Sequence, residues 1–329
     1  MIRYRRLGRT NLQVSEIVFG GGFVGGMLVL ADDDTRRRAI RRALDAGINW
    51  IDTAPLYAQG RSETALGWLL AEIEDRPYLS TKVELDVTRL DDIAGQVERS
   101  VHESLQRLNR DAVDLLQLHN RIGDAAGHAS QRAIGAHDIL RDGGVADALE
   151  RVREQGLTRF VGLTALGEAP AIVQVIDSAR FDTAQVYYNM LNPSAARAMP
   201  PAWSGHDFSG VIDACTRHDV GVMGIRAFAS GVLATDERHG REAVLTRDSD
   251  LDTEQRRAHA ALKAVGDRYG TRAQTALRFA LANRDLSCII VGMAEPEHLE
   301  QAIAAAAAGE LPPDAVARLE PVYEAGFEL

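Results

Sequence analysis

Lysine is the residue that this sequence most conspicuously lacks. Of its 37 basic residues, only Lys82 and Lys263 are lysines, and the rest are arginines. Arginine stays charged at any working pH, whereas a lysine ammonium is compact and responds to its surroundings. Because Lys82 follows a short apolar segment that predicts a strand, we interpret it as a residue with a special role.

The sequence also lacks the features of secreted, membrane-spanning and nucleic-acid-binding proteins. The two cysteines, Cys215 and Cys288, fall in apolar patterns, so we expect buried thiols rather than a disulfide, and a cytoplasmic location. The first ten residues carry no apolar signal segment, and no apolar run of about 18 residues predicts a membrane span. A net charge of −10 argues against nucleic acid and anionic membranes as partners.

A metal site is not predicted either. Metal hydrolysis on a barrel would need at least three clustered ligands, and no His-x-His or comparable set stands at the strand ends. Apart from His119, the histidines fall in predicted loops or on predicted helices, and we interpret them as structural.

The apolar patterning that is present predicts the fold. Eight apolar segments alternate with helical ones, at residues 16–19, 48–51, 78–82, 113–118, 158–163, 183–187, 220–225 and 287–291. Strands that are apolar throughout suit a parallel sheet buried on both faces. The count favours an α/β fold of the (β/α)8 (TIM) barrel type over an open sheet.

Several finer expectations accompany the barrel. Residues 3–7 and 12–15 predict an N-terminal hairpin, and 1–329 is expected to be a single domain because no linker composition interrupts it. The first helix is expected over 35–46 with Asp34 as its N-cap, and the last over 313–324. Long loops at 120–142, 190–206 and 226–252 are expected on the catalytic face.

Polar side chains follow three successive predicted strands. Asp52 and Tyr57 follow the second, Lys82 ends the third, and His119 follows the fourth. Each residue alone has an ordinary structural explanation, but a barrel places its chemistry at these strand ends. Lys82 is expected to lower the pKa of Tyr57, Asp52 to hold the ammonium, and His119 to orient a substrate carbonyl. The set predicts a proton-donating tyrosine for carbonyl reduction or alcohol oxidation.

A glycine-rich stretch, residues 20–25, contains the pattern GxGxxG after a strand. In a Rossmann domain a helix opens directly on this pattern, whereas here a loop runs to Asp34 before a convincing helix begins. We therefore expect Gly21 and Gly22 to allow a close backbone approach to substrate or cofactor on a barrel loop.

Eight stretches together resemble the aldo-keto reductase superfamily, and the resemblance covers almost the whole chain. They are Leu7–Thr10, Asp52–Tyr57, Ser62–Gly67, Thr81–Lys82, Asp114–His119, Gly162–Thr164, Gln185–Asn189 and Ser230–Leu233. The resemblance implies a barrel that binds a nicotinamide cofactor without a Rossmann fold, and it matches Asp52, Tyr57, Lys82 and His119 to the catalytic tetrad. It implies cofactor contacts at Thr164, Gln185, Ile225, Arg226, Phe228, Ser230, Gly231, Gly292, Ala294 and His298.

The chain departs from the family pattern in three places. Thr164 is followed by Ala165 where many members have asparagine, and Ile225 stands where many place an aromatic ring against the nicotinamide. No lysine or arginine occurs from Leu286 to Ala317, where NADPH-preferring members hold the 2′-phosphate. We therefore expect NAD rather than NADP as the cofactor, with Arg226 as the cation that could reverse this preference.

The substrate is expected to be a small carbonyl compound or sugar. A likeness to the sugar-dehydrogenase branch favours an aldose or related polyol, and the alternatives are an NADPH-dependent aldehyde or ketone reductase and a non-catalytic cofactor-sensing subunit. We expect the substrate pocket to involve Phe23, Leu56, Asn120 and Arg121, the last pairing either with a substrate carboxylate or with a structural partner. The sequence leaves the oligomeric state open.

Overall fold

The structure is a computed structural model that describes residues 2–22, 26–123, 133–238, 240, 242–246 and 249–328. Its strands are β1 Tyr4–Arg6, β2 Gln13–Ser15, β3 Ile17–Gly20, β4 Trp50–Asp52, β5 Tyr78–Val83, β6 Val113–Leu118, β7 Arg121–Gly123, β8 Ala133–Gly135, β9 Thr158–Ala165, β10 Thr183–Tyr187, β11 Gly221–Ile225 and β12 Cys288–Gly292. Eight of them close a parallel barrel in the order β3-β4-β5-β6-β9-β10-β11-β12, and β12 pairs with β3. The predicted (β/α)8 barrel is confirmed.

The helices are α1 Met27–Leu30, α2 Asp33–Asp45, α3 Arg61–Leu69, α4 Ile93–Leu108, α5 Ala136–Leu140, α6 Val145–Glu154, α7 Ala169–Asp177, α8 Val211–Arg217, α9 Leu251–Val265, α10 Arg272–Ala282, α11 Pro296–Ala308, α12 Pro313–Ala317 and α13 Glu320–Glu324. No helix in the described part of the chain combines the length and apolar character needed to cross a bilayer.

Two helix predictions are wrong at their ends. Asp32, not Asp34, is the N-cap of α2, because its carboxylate accepts the N–H of Thr35 at 2.9 Å. The single helix expected over 313–324 is two helices, α12 and α13. Pro321 lies in the first turn of α13, and its missing N–H prevents α12 from continuing through it.

The loop expected over 120–142 contains more structure than predicted. β7 and β8 pair in parallel over three residues, and α5 follows directly. An alternating or continuous apolar pattern is hard to detect in three-residue strands, so this small sheet leaves no usable signal in the sequence.

The predicted N-terminal hairpin forms, with β1 antiparallel to β2, and its tip closes the bottom of the barrel. Leu7 packs in a small interior cluster with Trp50, Leu115 and Met223 from the barrel strands. Gly221, the first residue of β11, leaves room for it, since a Cβ there would lie 2.6 Å from Leu7 Cδ1. The open end of the barrel is therefore the opposite one, where the strands end.

The cysteines are as expected. Cys215 and Cys288 are free and buried, and burial raises the pKa of the Cys215 thiol to about 12. Both thiols are thus protonated at neutral pH and are parts of the apolar packing.

Candidate active site

Lys82 lies at the centre of the strand-end cluster. Its Nζ donates to Asp52 Oδ2 at 2.5 Å, to the backbone carbonyl of Thr53 at 2.9 Å and to Tyr57 Oη at 3.1 Å. The lysine side chain is fully buried at the end of β5, whereas Tyr57 is only partly buried. One ammonium thus joins a buried carboxylate to a phenol that still reaches the open end of the barrel.

The other oxygen of the Asp52 carboxylate accepts hydrogen bonds from three different strands. Ser80 Oγ donates to Oδ1 at 2.7 Å, Gln185 Nε2 at 2.8 Å and Gln117 Nε2 at 3.2 Å. Trp50 Nε1 donates to Ser80 Oγ at 2.9 Å, which leaves the serine hydrogen for the carboxylate. Hydrogen bonds to the charged form stabilise an ionised acid, so this set fixes Asp52 as the counterion of Lys82.

His119 stands beside the tyrosine rather than in the lysine's hydrogen-bond set. Its ring meets the Tyr57 ring edge to face at a centroid distance of 5.9 Å, and its Nδ1 lies 4.0 Å from Glu84 Oε2. The backbone N–H of His119 donates to the carbonyl of Val83 at 2.8 Å. A substrate oxygen that contacts Tyr57 Oη would therefore lie close to the imidazole.

Lys82 acts on the pKa of Tyr57 in the expected downward direction, but the net pKa of the phenol is raised above its usual value rather than lowered. Desolvation raises the pKa of the phenol, and the opposing charge of Lys82 offsets only part of that effect. For Lys82, burial alone would lower the pKa of the ammonium, but Asp52 and Tyr57 together raise it above its usual value. Near neutral pH the pair is therefore a charged ammonium and a neutral phenol.

The stretch Ser62–Gly67 secures the site from outside the barrel. Ser62 Oγ donates to the carbonyl of Gly21 at 2.9 Å and shares a hydrogen bond of 2.8 Å with Thr53 Oγ1. The buried Glu63 carboxylate accepts from Thr81 Oγ1 at 2.5 Å and from Arg107 Nε at 2.7 Å. These contacts tie α3 and α4 to the strands that carry Asp52 and Lys82.

Gly21 and Gly22 directly follow β3, and their predicted close approach to substrate or cofactor stays a prediction. A Cβ at Gly21 would lie 2.8 Å from Ser62 Oγ, so the protein itself already occupies that position. One at Gly22 would lie 3.8 Å from Cζ of Tyr57, so a side chain at this position would extend into the space beside the tyrosine ring. Phe23, predicted to contact substrate, lies outside the described residues.

The residues predicted to bind a nicotinamide lie around the same opening. Thr164 is the last residue but one of β9, and its buried Oγ1 has no hydrogen-bond partner in the described part of the chain, which leaves it available to a ligand such as a carboxamide. Gln185, on β10, instead donates to Asp52. Ile225 is half-buried at the end of β11. The orphaned hydroxyl and the open space by Gly22 fit a nicotinamide group.

The loop after β11, residues 226–231, has an unusual backbone. Arg226, Ala229 and Ser230 all have positive φ, at 57°, 46° and 63°, as does Gly231 at 107°. Three non-glycine residues in this region within six positions are an observed strain of the kind that concentrates at ligand sites. Phe228 and Ser230 are half-buried here, so part of the loop is exposed to solvent.

The residues after β12, where the resemblance predicts the 2′-phosphate contacts of NADPH-preferring members, lie at the start of α11. Gly292 ends β12, and Ala294 follows with its N–H donating to His298 Nδ1 at 3.2 Å. Glu295 and Glu297 are both exposed around this helix start. The local charge is therefore negative, as the sequence indicated.

The three remaining residues predicted to contact substrate differ in their surroundings. Leu56 is 43% exposed beside Tyr57. Asn120 is buried, and its amide binds both the N–H and the carbonyl of Leu85, at 2.8 and 2.9 Å, so it braces the backbone after β5. Arg121 is exposed at the start of β7 and lines a cavity of about 150 Å³ with His206.

Sequence reasoning missed Ser80, Glu84 and Gln117. Side chains two residues apart on a strand point to the same face. Ser80 and Glu84 are two positions before and after Lys82, and Gln117 is two before His119, so each shares the barrel interior with a residue already identified. Stepping along each strand by two from the predicted tetrad would have found all three.

A metal site is absent from the described residues, where no three His, Cys, Asp or Glu side chains group together as ligands.

Comparison with known proteins identifies relatives of the whole chain. Residues 16–324 match the model of the Aldo/keto reductase family. The chain is 27% identical to L-galactose dehydrogenase of Arabidopsis thaliana over 312 residues, which cover 92% of this chain and 88% of that protein. It is 28% identical to D-threo-aldose 1-dehydrogenase of a Pseudomonas species over 260 residues, covering 70% and 71%. The holo structure of an aldo-keto reductase from Bacillus halodurans superposes with a TM-score of 0.75 over all of both chains at 21% identity, which supports the fold.

Proposed function

The chain belongs to the aldo/keto reductase family and is an NAD(P)-dependent oxidoreductase, and we propose that it oxidises an aldose or a related polyol with NAD. The observation that carries the chemistry is the contact of 3.1 Å between Lys82 Nζ and Tyr57 Oη. It joins a proton-exchanging phenol to a buried ammonium at the open end of the barrel.

The protein's own residues handle the proton. In oxidation Tyr57 Oη accepts the hydroxyl proton of the substrate, and in reduction it returns a proton to the carbonyl oxygen. Lys82 stabilises the phenolate that oxidation needs, and Asp52 keeps the lysine in place. His119 donates to and orients the substrate oxygen. A bound nicotinamide would supply the hydride chemistry: in oxidation the hydride would carry both electrons away from the substrate carbon, while Tyr57 takes the proton from the substrate oxygen.

Residues around the opening would hold that cofactor. Thr164 would donate to the carboxamide, and the loop after β11 would contact the pyrophosphate. Gly22 leaves space beside Tyr57 for the nicotinamide and the substrate. Water excluded from this space would strengthen the charges that act on the phenol.

The preference for NAD rests on charge. A 2′-phosphate carries nearly two negative charges and needs charge-assisted partners. Glu295 and Glu297 would repel this phosphate. The Arg226 guanidinium already donates hydrogen bonds to Ser230 Oγ and to the carbonyl of Ala243. Because cellular NAD is mostly oxidised, this preference favours the dehydrogenase direction.

The aldose is supported by the two relatives named as sugar dehydrogenases. A second candidate is an NADPH-dependent aldehyde or ketone reductase, which the raised pKa of Tyr57 favours because a neutral phenol is ready to donate. We place the protein in the cytoplasm as a small-molecule enzyme.

The test is steady-state turnover, followed at the nicotinamide absorbance, with NAD(H) and NADP(H) against aldoses, polyols and simple aldehydes. We expect aldose oxidation with a lower KM for NAD than for NADP. Glu295→Arg should raise the relative kcat/KM for NADP by about tenfold or more, the effect of one charge-assisted contact, while Glu324→Arg, a matched change on α13, should not. A lower KM for NADPH than for NADH in the wild type would contradict the NAD assignment.

A further inference from the structure

Four buried residues form one row across neighbouring strands of the barrel. Lys82 on β5 pairs with Gln117 on β6, and Gln117 pairs with Gly162 on β9. Gly162 in turn pairs with Thr183 on β10. Residues paired across neighbouring strands of a barrel face the same side, so Gln117 and Thr183 share the barrel interior with the Lys82 side chain.

The Gln117 amide has one end in the catalytic cluster. Its Nε2 donates to Asp52 Oδ1 at 3.2 Å. Because an ionised carboxylate only accepts hydrogen bonds, the NH2 end of the amide must face Asp52, and the carbonyl oxygen Oε1 is turned away from it. That oxygen is buried and has no hydrogen-bond partner among the described residues, and the same is true of Thr183 Oγ1.

Gly162 keeps the space in which these two side chains lie. A Cβ at this position would lie 2.2 Å from Thr183 Oγ1 and 3.2 Å from Gln117 Cγ. Any larger residue would therefore collide with the threonine hydroxyl and crowd the glutamine. The glycine between the two strands thus allows Gln117 the position from which its amide meets Asp52.

Packing alone does not explain a glutamine at position 117. A buried amide oxygen without a donor is unfavourable, and an apolar side chain of similar size, such as methionine, would avoid that penalty. What the glutamine adds is its hydrogen bond to Asp52. The other oxygen of that carboxylate binds Lys82 Nζ at 2.5 Å, and Nζ lies 3.1 Å from Tyr57 Oη.

We propose that Gln117 is a positioning residue for proton transfer, which acts on Lys82 and Tyr57 through Asp52. By donating to Oδ1, the amide draws negative charge of the carboxylate away from Oδ2. The ammonium of Lys82 is then held less tightly by Asp52 and stays shared with the phenol of Tyr57. This rests on the proposed function, in which Tyr57 exchanges the proton with the substrate.

The test is Gln117→Met, which keeps the size of the side chain and removes both polar ends of the amide. Asp52 should then attract Lys82 more strongly, so the phenolate of Tyr57 loses support. We expect kcat/KM for alcohol oxidation at neutral pH to fall about three- to thirtyfold, up to the effect of one hydrogen bond to a charged group. The rise of this kcat/KM with pH should move to higher pH. NADH binding should be unchanged, and the urea midpoint should stay level or increase.

Thr183→Val is the matched control. It removes the other unpaired polar atom of the same row, and Thr183 makes no hydrogen bond to Asp52. This variant should keep the wild-type kcat/KM and pH profile. An unshifted pH profile in Gln117→Met would overturn the proposal, whether oxidation stays at the wild-type level or falls together with the urea midpoint, because the amide would then be idle or would serve packing alone.

A measurement that needs no turnover separates the proposal from the proposed function. Lys82 and Lys263 are the only lysines in the chain, so isotope-labelled lysine gives one side-chain NMR signal for each, assigned with Lys263→Arg. Lys263 is exposed on α9 and is the internal reference. Gln117→Met should move the Lys82 signal and raise the pKa of its ammonium, whereas Thr183→Val should not.

The two possible failures then give different results. If the wild type turns over no substrate but the Lys82 signal moves in Gln117→Met alone, the action of Gln117 on the lysine is supported and the role of Tyr57 in the reaction fails. If the Lys82 signal is the same in Gln117→Met as in the wild type, the proposal is overturned whatever the activity.

Discussion

Removing the ammonium of Lys82 should destabilise the fold more than removing the whole ion pair. Lys82→Met leaves the Asp52 carboxylate buried at 2% exposure, with Oδ1 still bound by three donors but Oδ2 without its lysine. Breaking a buried pair by removing one partner costs about 3–5 kcal/mol. We expect the lower half of that range, because Ser80, Gln117 and Gln185 continue to stabilise the charge.

Asp52→Asn has the converse effect, since the buried ammonium keeps only Thr53 and Tyr57 as partners. In the double variant no unpaired charge remains, so its loss of stability should be smaller than the sum of the two single losses by about 2 kcal/mol or more. The assay is urea unfolding followed by circular dichroism for the wild type and the three variants. Single losses that add within about 0.5 kcal/mol would show that the contact contributes no coupling and would refute the reasoning.

Two further predictions concern the phenol and the cofactor. Because the pKa of Tyr57 is raised, kcat/KM for carbonyl reduction should stay level through neutral pH and fall only above about 10, the usual tyrosine value. The kcat/KM for alcohol oxidation should instead rise with pH about tenfold per unit. A kcat/KM for reduction that already falls below pH 8 would contradict this. Thr164→Val should weaken NADH binding about two- to tenfold, the effect of one hydrogen bond. It should not lower the urea midpoint, because the threonine hydroxyl has no partner among the described residues. A lower midpoint would show a structural role for Thr164 instead.

The barrel was predictable because each strand is apolar and ends in a turn. The predicted bounds 113–118 and 183–187 agree to the residue with β6 and β10. The separation of α12 from α13 follows from proline chemistry, because Pro321 has no N–H to continue a helix over 313–324. β7 and β8 could not be predicted from the sequence, because each strand is only three residues long and its pairing depends on contacts with the other.

The sequence predicts which residues form the candidate site, but it does not predict the net direction of the Tyr57 pKa shift. Asp52, Lys82 and His119 are predicted to lie together because each stands at the end of a predicted strand. Tyr57 is predicted to join them because it belongs to the same sequence stretch as Asp52. The direction of the Tyr57 pKa was not predictable, because it depends on whether desolvation or the lysine's charge is larger. Sequence alone names the charges but not how much water the fold removes from around them.

The central claim is that Tyr57 transfers the proton. The most direct test is Tyr57→Phe, which keeps the ring and leaves Lys82 bound to Asp52 and Thr53. We expect turnover to fall by about a hundred- to ten-thousandfold, with NADH binding and the urea midpoint unchanged. Turnover within tenfold of the wild type would contradict the account. If the wild type and Tyr57→Phe both bind cofactor and neither turns over any of the aldoses, polyols or simple aldehydes, a non-catalytic, cofactor-sensing role replaces the catalytic one.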